Sequence, residues 1–171
     1  AFMKVNNYTI APDQPLTIIS GPCVLESREL GLRIGTAVRD ACAALGMQYV
    51  FKASYDKANR SSVHSDRGPG MEQGLADIRS VADELGVPCT TDIHEPSQAA
   101  VAAQHVDLLQ VPAFLCRQTD LLLAAAETGQ AVNVKKGQFM SPAEMGNVVA
   151  KLREGGAEQV MLTERGTFFG Y

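Results

Sequence analysis

No apolar run in this chain is long enough to span a membrane, and its first residues lack the charged-then-apolar pattern of a secretory leader. The cysteines Cys23, Cys42, Cys89 and Cys116 form no Cys-x-x-Cys pair. That spacing speaks against a disulfide framework and for isolated thiols in a reducing compartment. No Gly-x-Gly-x-x-Gly or Walker loop is present, which removes the usual signatures of dinucleotide and P-loop folds. Positive charge is not in excess either. The net charge of -4 argues against general nucleic-acid affinity, so any anion site must come from locally clustered Lys and Arg. These absences lead us to expect a soluble cytoplasmic protein with neither a membrane nor a nucleic acid as partner.

What is there is a regular alternation. The 171 residues, 46% hydrophobic and 20% charged, suffice for one domain with a substantial core. Strand-like apolar runs fall at residues 16–20, 49–51, 87–91, 107–111, 131–134 and 159–162. Between them, residues 28–45 carry Leu32, Ala37, Val38 and Ala41 at helical spacing before Gly46. Residues 71–85 repeat that design with Leu75, Ile78, Val81, Ala82 and Leu85 before Gly86. A short Ala-rich helix is expected over 120–127, and another over 141–153, opened by Ser-Pro-Ala-Glu and closed by Gly155-Gly156. Repeating strand–helix units imply a parallel sheet, because parallel strands need crossover connections.

Polar groups follow every one of these strands. In order they are Cys23 and Glu26; Lys52 and the 57–62 loop; Asp92, His94 and Glu95; Gln110 and Arg117; Asn133, Lys135, Lys136 and Gln138; and Glu164 with Arg165. Chemistry gathered at the C-terminal end of every strand is the rule of the TIM (β/α)8 barrel, whereas a doubly wound sheet concentrates its ligands at one switch point. About six of the eight βα units are accounted for. The expectation is therefore a single (β/α)-barrel domain over 1–171, incomplete at its C-terminus. An extended segment at 5–10 is expected to pair with 16–19 as an N-terminal β-hairpin around Pro12-Asp13.

The densest chemistry lies at residues 52–62, where Lys52, Lys57 and Arg60 stand among hydroxyls and an amide directly behind Tyr49-Val50-Phe51. Cations and hydroxyls leaving a buried strand suit a phosphate. For any one such charge the plain alternative is a solvated surface group; recurrence at successive strand ends favours a site.

Several ordered stretches carry a family resemblance: Ser20-Gly21-Pro22-Cys23-Val24-Leu25-Glu26-Ser27, Phe51-Lys52-Ala53-Ser54, Lys57-Ala58-Asn59-Arg60-Ser61-Ser62, Thr91-Asp92-Ile93-His94-Glu95-Pro96, Gln110-Val111-Pro112-Ala113-Phe114-Leu115, Asn133-Val134-Lys135-Lys136 and Glu164-Arg165-Gly166. Together they resemble the 3-deoxy-D-manno-octulosonate 8-phosphate synthases, from Met3 to Tyr171. The resemblance implies a TIM barrel and a homotetramer. It also implies condensation of phosphoenolpyruvate with D-arabinose 5-phosphate and water, releasing phosphate, for lipopolysaccharide synthesis. It further implies that Lys52, Lys57, Lys135 and Arg165 hold phosphoenolpyruvate, with Gln110 and the Ala113 backbone assisting. Asn59, Arg60 and Ser61 would bind arabinose 5-phosphate, and Arg117 would reach that sugar's phosphate from a neighbouring subunit. Asp92 would orient a lysine or a metal-bound water, and Lys57, Asp92 and Asn59 are the candidates for the chemistry itself.

Cys23 places the chain with the metal-requiring members of that family, which carry Cys where metal-independent members carry Asn. A thiolate suits a borderline divalent metal such as Zn, Fe, Mn or Co. The resemblance puts the remaining ligands beyond residue 171, so the chain as given is expected to lack a complete metal site. Cys42, Cys89 and Cys116 read as packing thiols, His94 as a polar residue lining the site, and His64 and His105 as surface or loop residues. Three alternatives stay open. They are the related synthase that uses erythrose 4-phosphate, whose sugar-phosphate loop typically reads Lys-Pro-Arg-Thr-Ser; a Schiff-base aldolase using Lys52 or Lys135; and a folded, inactive fragment.

Overall fold

A computed structural model of the chain describes residues 2–169; Ala1, Gly170 and Tyr171, the last two at the C-terminal end of the resemblance, lie outside the described residues. The described residues fall into two compact units, 2–92 with 105–107, and 93–104 with 108–169.

The first unit opens with an antiparallel hairpin of β1 (Met3–Val5) and β2 (Tyr8–Ile10), then runs β3 (Thr17–Ser20), α1 (Arg28–Ala44), β4 (Gln48–Lys52), α2 (Met71–Leu85) and β5 (Cys89–Asp92). β4 lies between β3 and β5, all parallel, with Thr17 opposite Gln48 and Phe51 opposite Cys89. Its central residues Tyr49, Val50 and Phe51 are buried, as expected of a strand covered on both faces. α1 comes very close at Gly35, where a Cβ would sit 2.4 Å from Leu85 Cδ1 and 3.3 Å from the Phe51 ring. Ser27 caps α1 by accepting from Leu30 N at 3.1 Å. Arg28 ties α1 to α2, its Nε donating to Ser80 Oγ at 2.8 Å.

The N-terminal hairpin differs from expectation. Met3 pairs with Ile10 and Val5 with Tyr8, while residues 17–20 form a parallel strand beside β4. The turn falls at Asn6-Asn7, with Asn6 at φ 52°, because asparagine tolerates the left-handed conformation a tight hairpin needs. Pro12-Asp13 therefore lies in the connection to β3. Asn6 Nδ2 also donates to Asp107 Oδ1 at 2.8 Å, anchoring the hairpin to its unit.

The second unit runs α3 (Pro96–Ala103), β6 (Leu108–Val111), a 3-10 turn (Ala113–Leu115), α4 (Thr119–Glu127), β7 (Ala131–Lys135), α5 (Met145–Glu154) and β8 (Val160–Thr163). β7 lies between β6 and β8, again all parallel, with Gln110 opposite Asn133 and Lys135 opposite Thr163. Leu108, Leu109, Val111, Val132 and Val134 are wholly buried. α3 was not expected. Its sequence PSQAAVAA is small and apolar on nearly every side, so no amphipathic contrast marks it. Its only sequence signal is the Glu95-Pro96 start followed by Gln98, whose side chain reaches back to the His94 and Glu95 amides. α5 begins four residues later than expected. Ser141 and Glu144 do exchange the anticipated capping bonds, but the first turn is tightened into i to i+3 bonds and regular helix starts at Met145.

Within each unit every strand of the parallel sheet lies beside its successor in sequence, the singly wound order of a barrel and not the reversing order of a doubly wound sheet. The six parallel strands alternating with five helices among the described residues are those of the TIM-barrel class. No helix among the described residues is long and apolar enough to cross a membrane.

Two consequences can be measured. Phe51→Ala should lower stability by about 3–5 kcal/mol in denaturant melts, since it empties the space against which α1 packs. Hydrogen bonds from the backbone and hydroxyl of Ser141 hold the Glu144 carboxyl below its ordinary range. A group whose folded pKa is depressed stabilises above its unfolded value and loses that contribution as pH falls through the folded value. The stability difference between the wild type and Glu144→Gln should therefore be present at neutral pH and vanish in acid. A difference that persists unchanged into acid would contradict this.

Candidate active site

In the first unit, β4 and β5 end in charged residues, and the strands run one residue further than apolarity alone suggested, to include Lys52 and Asp92. Asp92 is the hub. Its Oδ2 accepts from Ser54 Oγ at 2.7 Å and lies 3.5 Å from Lys57 Nζ, while its Oδ1 lies 3.8 Å from Lys52 Nζ. Lys57 Nζ also donates to Ser54 Oγ at 2.7 Å. The side chains of Lys52, Lys57 and Asp92 are only 17%, 14% and 10% exposed. Two ammonium groups facing one carboxylate leave a net positive charge in a largely desolvated cluster, which favours an anion there. Asp92 thus has a definite duty in this unit: it fixes both lysines.

The Gly-Pro-Cys segment is laid against the same strand end. A Cβ at Gly21 would sit 2.0 Å from the Lys52 carbonyl oxygen, so only glycine permits the approach. Leu25 N then donates to the Ser54 carbonyl at 3.0 Å, and Val24 bridges Ser54.

Beyond Lys57 the chain forms an exposed loop that carries Asn59, Arg60 and Ser61. The loop is folded on itself by a fork from Arg67 to Asp56, at 2.7 and 2.5 Å, and by Lys57 N donating to the Arg67 carbonyl at 2.8 Å. Arg60 spends only its Nε, on the Asp66 carbonyl at 3.2 Å. Its two terminal nitrogens make no hydrogen bond among the described residues. A guanidinium presented in that way suits a bidentate anion contact.

The second unit builds a polar row across three strands. Thr163 Oγ1 donates to Asn133 Oδ1 at 2.9 Å, and Asn133 Nδ2 donates to Gln110 Oε1 at 3.2 Å. Gln110 and Asn133 are buried, and the row fixes the orientation of both amides. Lys135 stands two residues past Asn133 on the same face, at the very end of β7. Ala113 is buried at the start of the 3-10 turn, its carbonyl accepting from Cys116 N at 3.3 Å. Arg165 is exposed two residues past β8. Arg117 does not stand at a strand end. It lines an open hollow of about 420 Å³ beside α5, with Met140, Glu144, Asn147 and Lys151.

Ser54 and Thr163 were not among the expected site residues, and Asn133 was expected as a polar group at its strand end without a role of its own. Asn133 was detectable, as a polar residue inside an apolar strand and in phase with Lys135; Ser54 and Thr163 show their partners only once the chain is folded. His94 is half-buried, and its backbone N–H is taken by Gln98 Oε1 at 2.7 Å. His64 is exposed in the loop, and the His105 carbonyl accepts from Cys89 Sγ at 3.5 Å. Cys23 is exposed, and among the described residues no three His, Cys, Asp or Glu side chains form a group able to hold a metal ion. One thiol falls short of the three or four protein donors a transition metal takes, so the described residues do not by themselves fit that group.

The thiols should separate cleanly in alkylation. Burial pushes the Cys89 thiol up to about 12, the nearby Arg79 only partly opposing this, so Cys89 should stay inert to iodoacetamide at pH 8. Buried Cys42 and Cys116 should be shielded too, and mass spectrometry of the native protein should find the label on Cys23 alone. Label on Cys89 without unfolding would refute the assignment.

Comparison with known proteins places these features in a family. Residues 3–171 match the sequence model of the DAHP synthetase I family. Among curated proteins, the chain is 56% identical over 166 residues to a 2-dehydro-3-deoxyphosphooctonate aldolase of Synechococcus sp., covering 97% of this chain and 58% of that protein. It is 54% identical to the protein of that name from Desulfotalea psychrophila, over 95% of this chain and 58% of the relative. To that of Fusobacterium nucleatum it is 50% identical, over 99% and 61%. The chain therefore spans about three-fifths of the length of these relatives. With βα units in barrel order, chemistry at the strand ends, and a match that runs through all of it, the chain belongs to the DAHP synthetase I family.

Proposed function

We propose that this protein is a 3-deoxy-D-manno-octulosonate 8-phosphate synthase, condensing phosphoenolpyruvate with D-arabinose 5-phosphate and water and releasing phosphate. The observation that carries the reading is the Lys52–Asp92–Lys57 cluster, two largely buried ammonium groups fixed by one carboxylate at the ends of parallel strands. The relatives from Synechococcus sp., Desulfotalea psychrophila and Fusobacterium nucleatum, at 50–56% identity, are each named 2-dehydro-3-deoxyphosphooctonate aldolase. The loop Lys57-Ala58-Asn59-Arg60-Ser61-Ser62 also departs from the Lys-Pro-Arg-Thr-Ser expected for an erythrose 4-phosphate synthase.

In this reading Lys52 and Lys57 meet the negative charge of phosphoenolpyruvate, and Ser54 and Asp92 keep their ammonium groups in place. Within the second unit, the family resemblance assigns Lys135, Arg165, Gln110 and the Ala113 backbone to phosphoenolpyruvate. Asn59, Arg60 and Ser61 take the sugar phosphate, for which the uncommitted end of the Arg60 guanidinium is suited. C3 of phosphoenolpyruvate bonds to the aldehyde carbon, water adds at C2, and the resulting hemiketal phosphate expels phosphate. Fixed cations act on the charge carried through these steps without having to reorganise. The reading also makes the protein a cytoplasmic homotetramer serving lipopolysaccharide synthesis, in which exposed Arg117 reaches the sugar phosphate held by a neighbouring copy.

Phosphate release from phosphoenolpyruvate, measured with arabinose 5-phosphate and separately with erythrose 4-phosphate, tests this directly. Turnover with the five-carbon sugar is expected, and Lys57→Ala should cut kcat/KM by about 10²–10³. Preference for erythrose 4-phosphate, or an imine trapped by borohydride at Lys52 or Lys135, would replace the reading. Repeating the assay after chelation, and again with Zn, Fe, Mn or Co restored, decides whether the Cys23-type metal requirement applies.

A further inference from the structure

Lys136 follows Lys135 in a pair of lysines, yet the two have different fates. Lys136 is 2% exposed, and its ammonium faces four acceptors. These are the carbonyls of Gly137 at 3.5 Å, Met140 at 3.4 Å and Gly166 at 2.5 Å, and Glu164 Oε1 at 3.3 Å. An ammonium has three donors and no acceptor, so this set absorbs all it can offer. Lys136 is therefore not an anion ligand.

What it holds is informative. Glu164 Oε1, one of its partners, also accepts from Arg165 N at 2.8 Å and Gly166 N at 2.7 Å. The residues on either side of Arg165 are thus both tied to one buried ammonium. The loop after β7 is joined to the segment after β8 a second time, by Phe168 N donating to the Gln138 carbonyl. The backbone of Lys136 itself donates to the Thr163 carbonyl at 2.9 Å, which seats this knot at the end of the sheet. Burial alone would raise the Glu164 carboxyl, but the bonds from Gly166, Arg165 and Lys136 bring it below its ordinary range and keep it anionic.

We propose that Lys136 and Glu164 form a strut whose task is to set the position of Arg165 for its anionic ligand. The inference rests on the functional reading above and deepens it: Lys136 is a positioning residue that acts through Arg165, while Lys135 and Arg165 face the substrate.

The test is made on the intact protein with Lys136→Met, which keeps the apolar stem and removes the ammonium, and with Glu164→Gln as an exposed second variant. Amide hydrogen exchange at Arg165 and Gly166 should accelerate about tenfold or more, with protection of Val132 and Val134 unchanged. Phosphoenolpyruvate affinity, read by calorimetry, should weaken about tenfold in Lys136→Met, and the same substitution should add little in an Arg165→Ala background. Equal weakening with and without Arg165, or unchanged exchange at residues 165 and 166 in both variants, would overturn the proposal. If the unsubstituted protein binds no phosphoenolpyruvate, it is the functional reading that falls, and exchange at residues 165 and 166 then decides the strut alone.

Discussion

The cost of keeping like charges together away from water governs how this protein is built. Lys52 and Lys57 cannot share a largely buried position unless something between them is negative, and Asp92 supplies that charge. Removing one partner of such a group leaves a desolvated charge that costs roughly 3–5 kcal/mol, which is why the cluster behaves as one object. Ser54 completes it by donating to the carboxylate and accepting from Lys57. The arrangement remains one positive charge in excess.

The second unit meets a related constraint with neutral groups. Gln110, Asn133 and Thr163 are polar residues inside strands whose neighbours are apolar, and each occupies a partner's hydrogen-bonding capacity in the row. Satisfied in this way, buried amides hold one orientation. Lys136 and Glu164 extend the same logic beyond the strands, where a buried ammonium meets the Gly166 carbonyl and the Glu164 carboxylate. Both units therefore place buried polar clusters where strands end.

Much of this was legible in the residues. The alternation of apolar runs and helical spacing located six strands and four helices, because period and length differ between the two states. What was missed has identifiable causes. α3 has almost no polar face, so periodicity was silent over Pro96–Ala103. Proline and aspartate mark Pro12-Asp13 as a turn, whereas Asn6 turns the chain first and leaves Thr17–Ser20 to pair in parallel with β4. The strand limits at Lys52, Asp92 and Lys135 were one residue short, since a charge at a strand end looks like the start of a loop until its partner across the sheet is known.

The sequence by itself determined the class of fold, the family resemblance and the list of charged residues at strand ends, since local periodicity and motif order are written along the chain. It could not determine what each charge does. Lys135 and Lys136 are adjacent and chemically identical, and Asp92 looks the same whether it grips a lysine or a metal-bound water. Those roles depend on which side chains from distant strands arrive within about 3 Å, the reach of a hydrogen bond. Only the tertiary structure brings Ser54 and both lysines to Asp92, and encloses Lys136 with the carbonyls of Gly137, Met140 and Gly166.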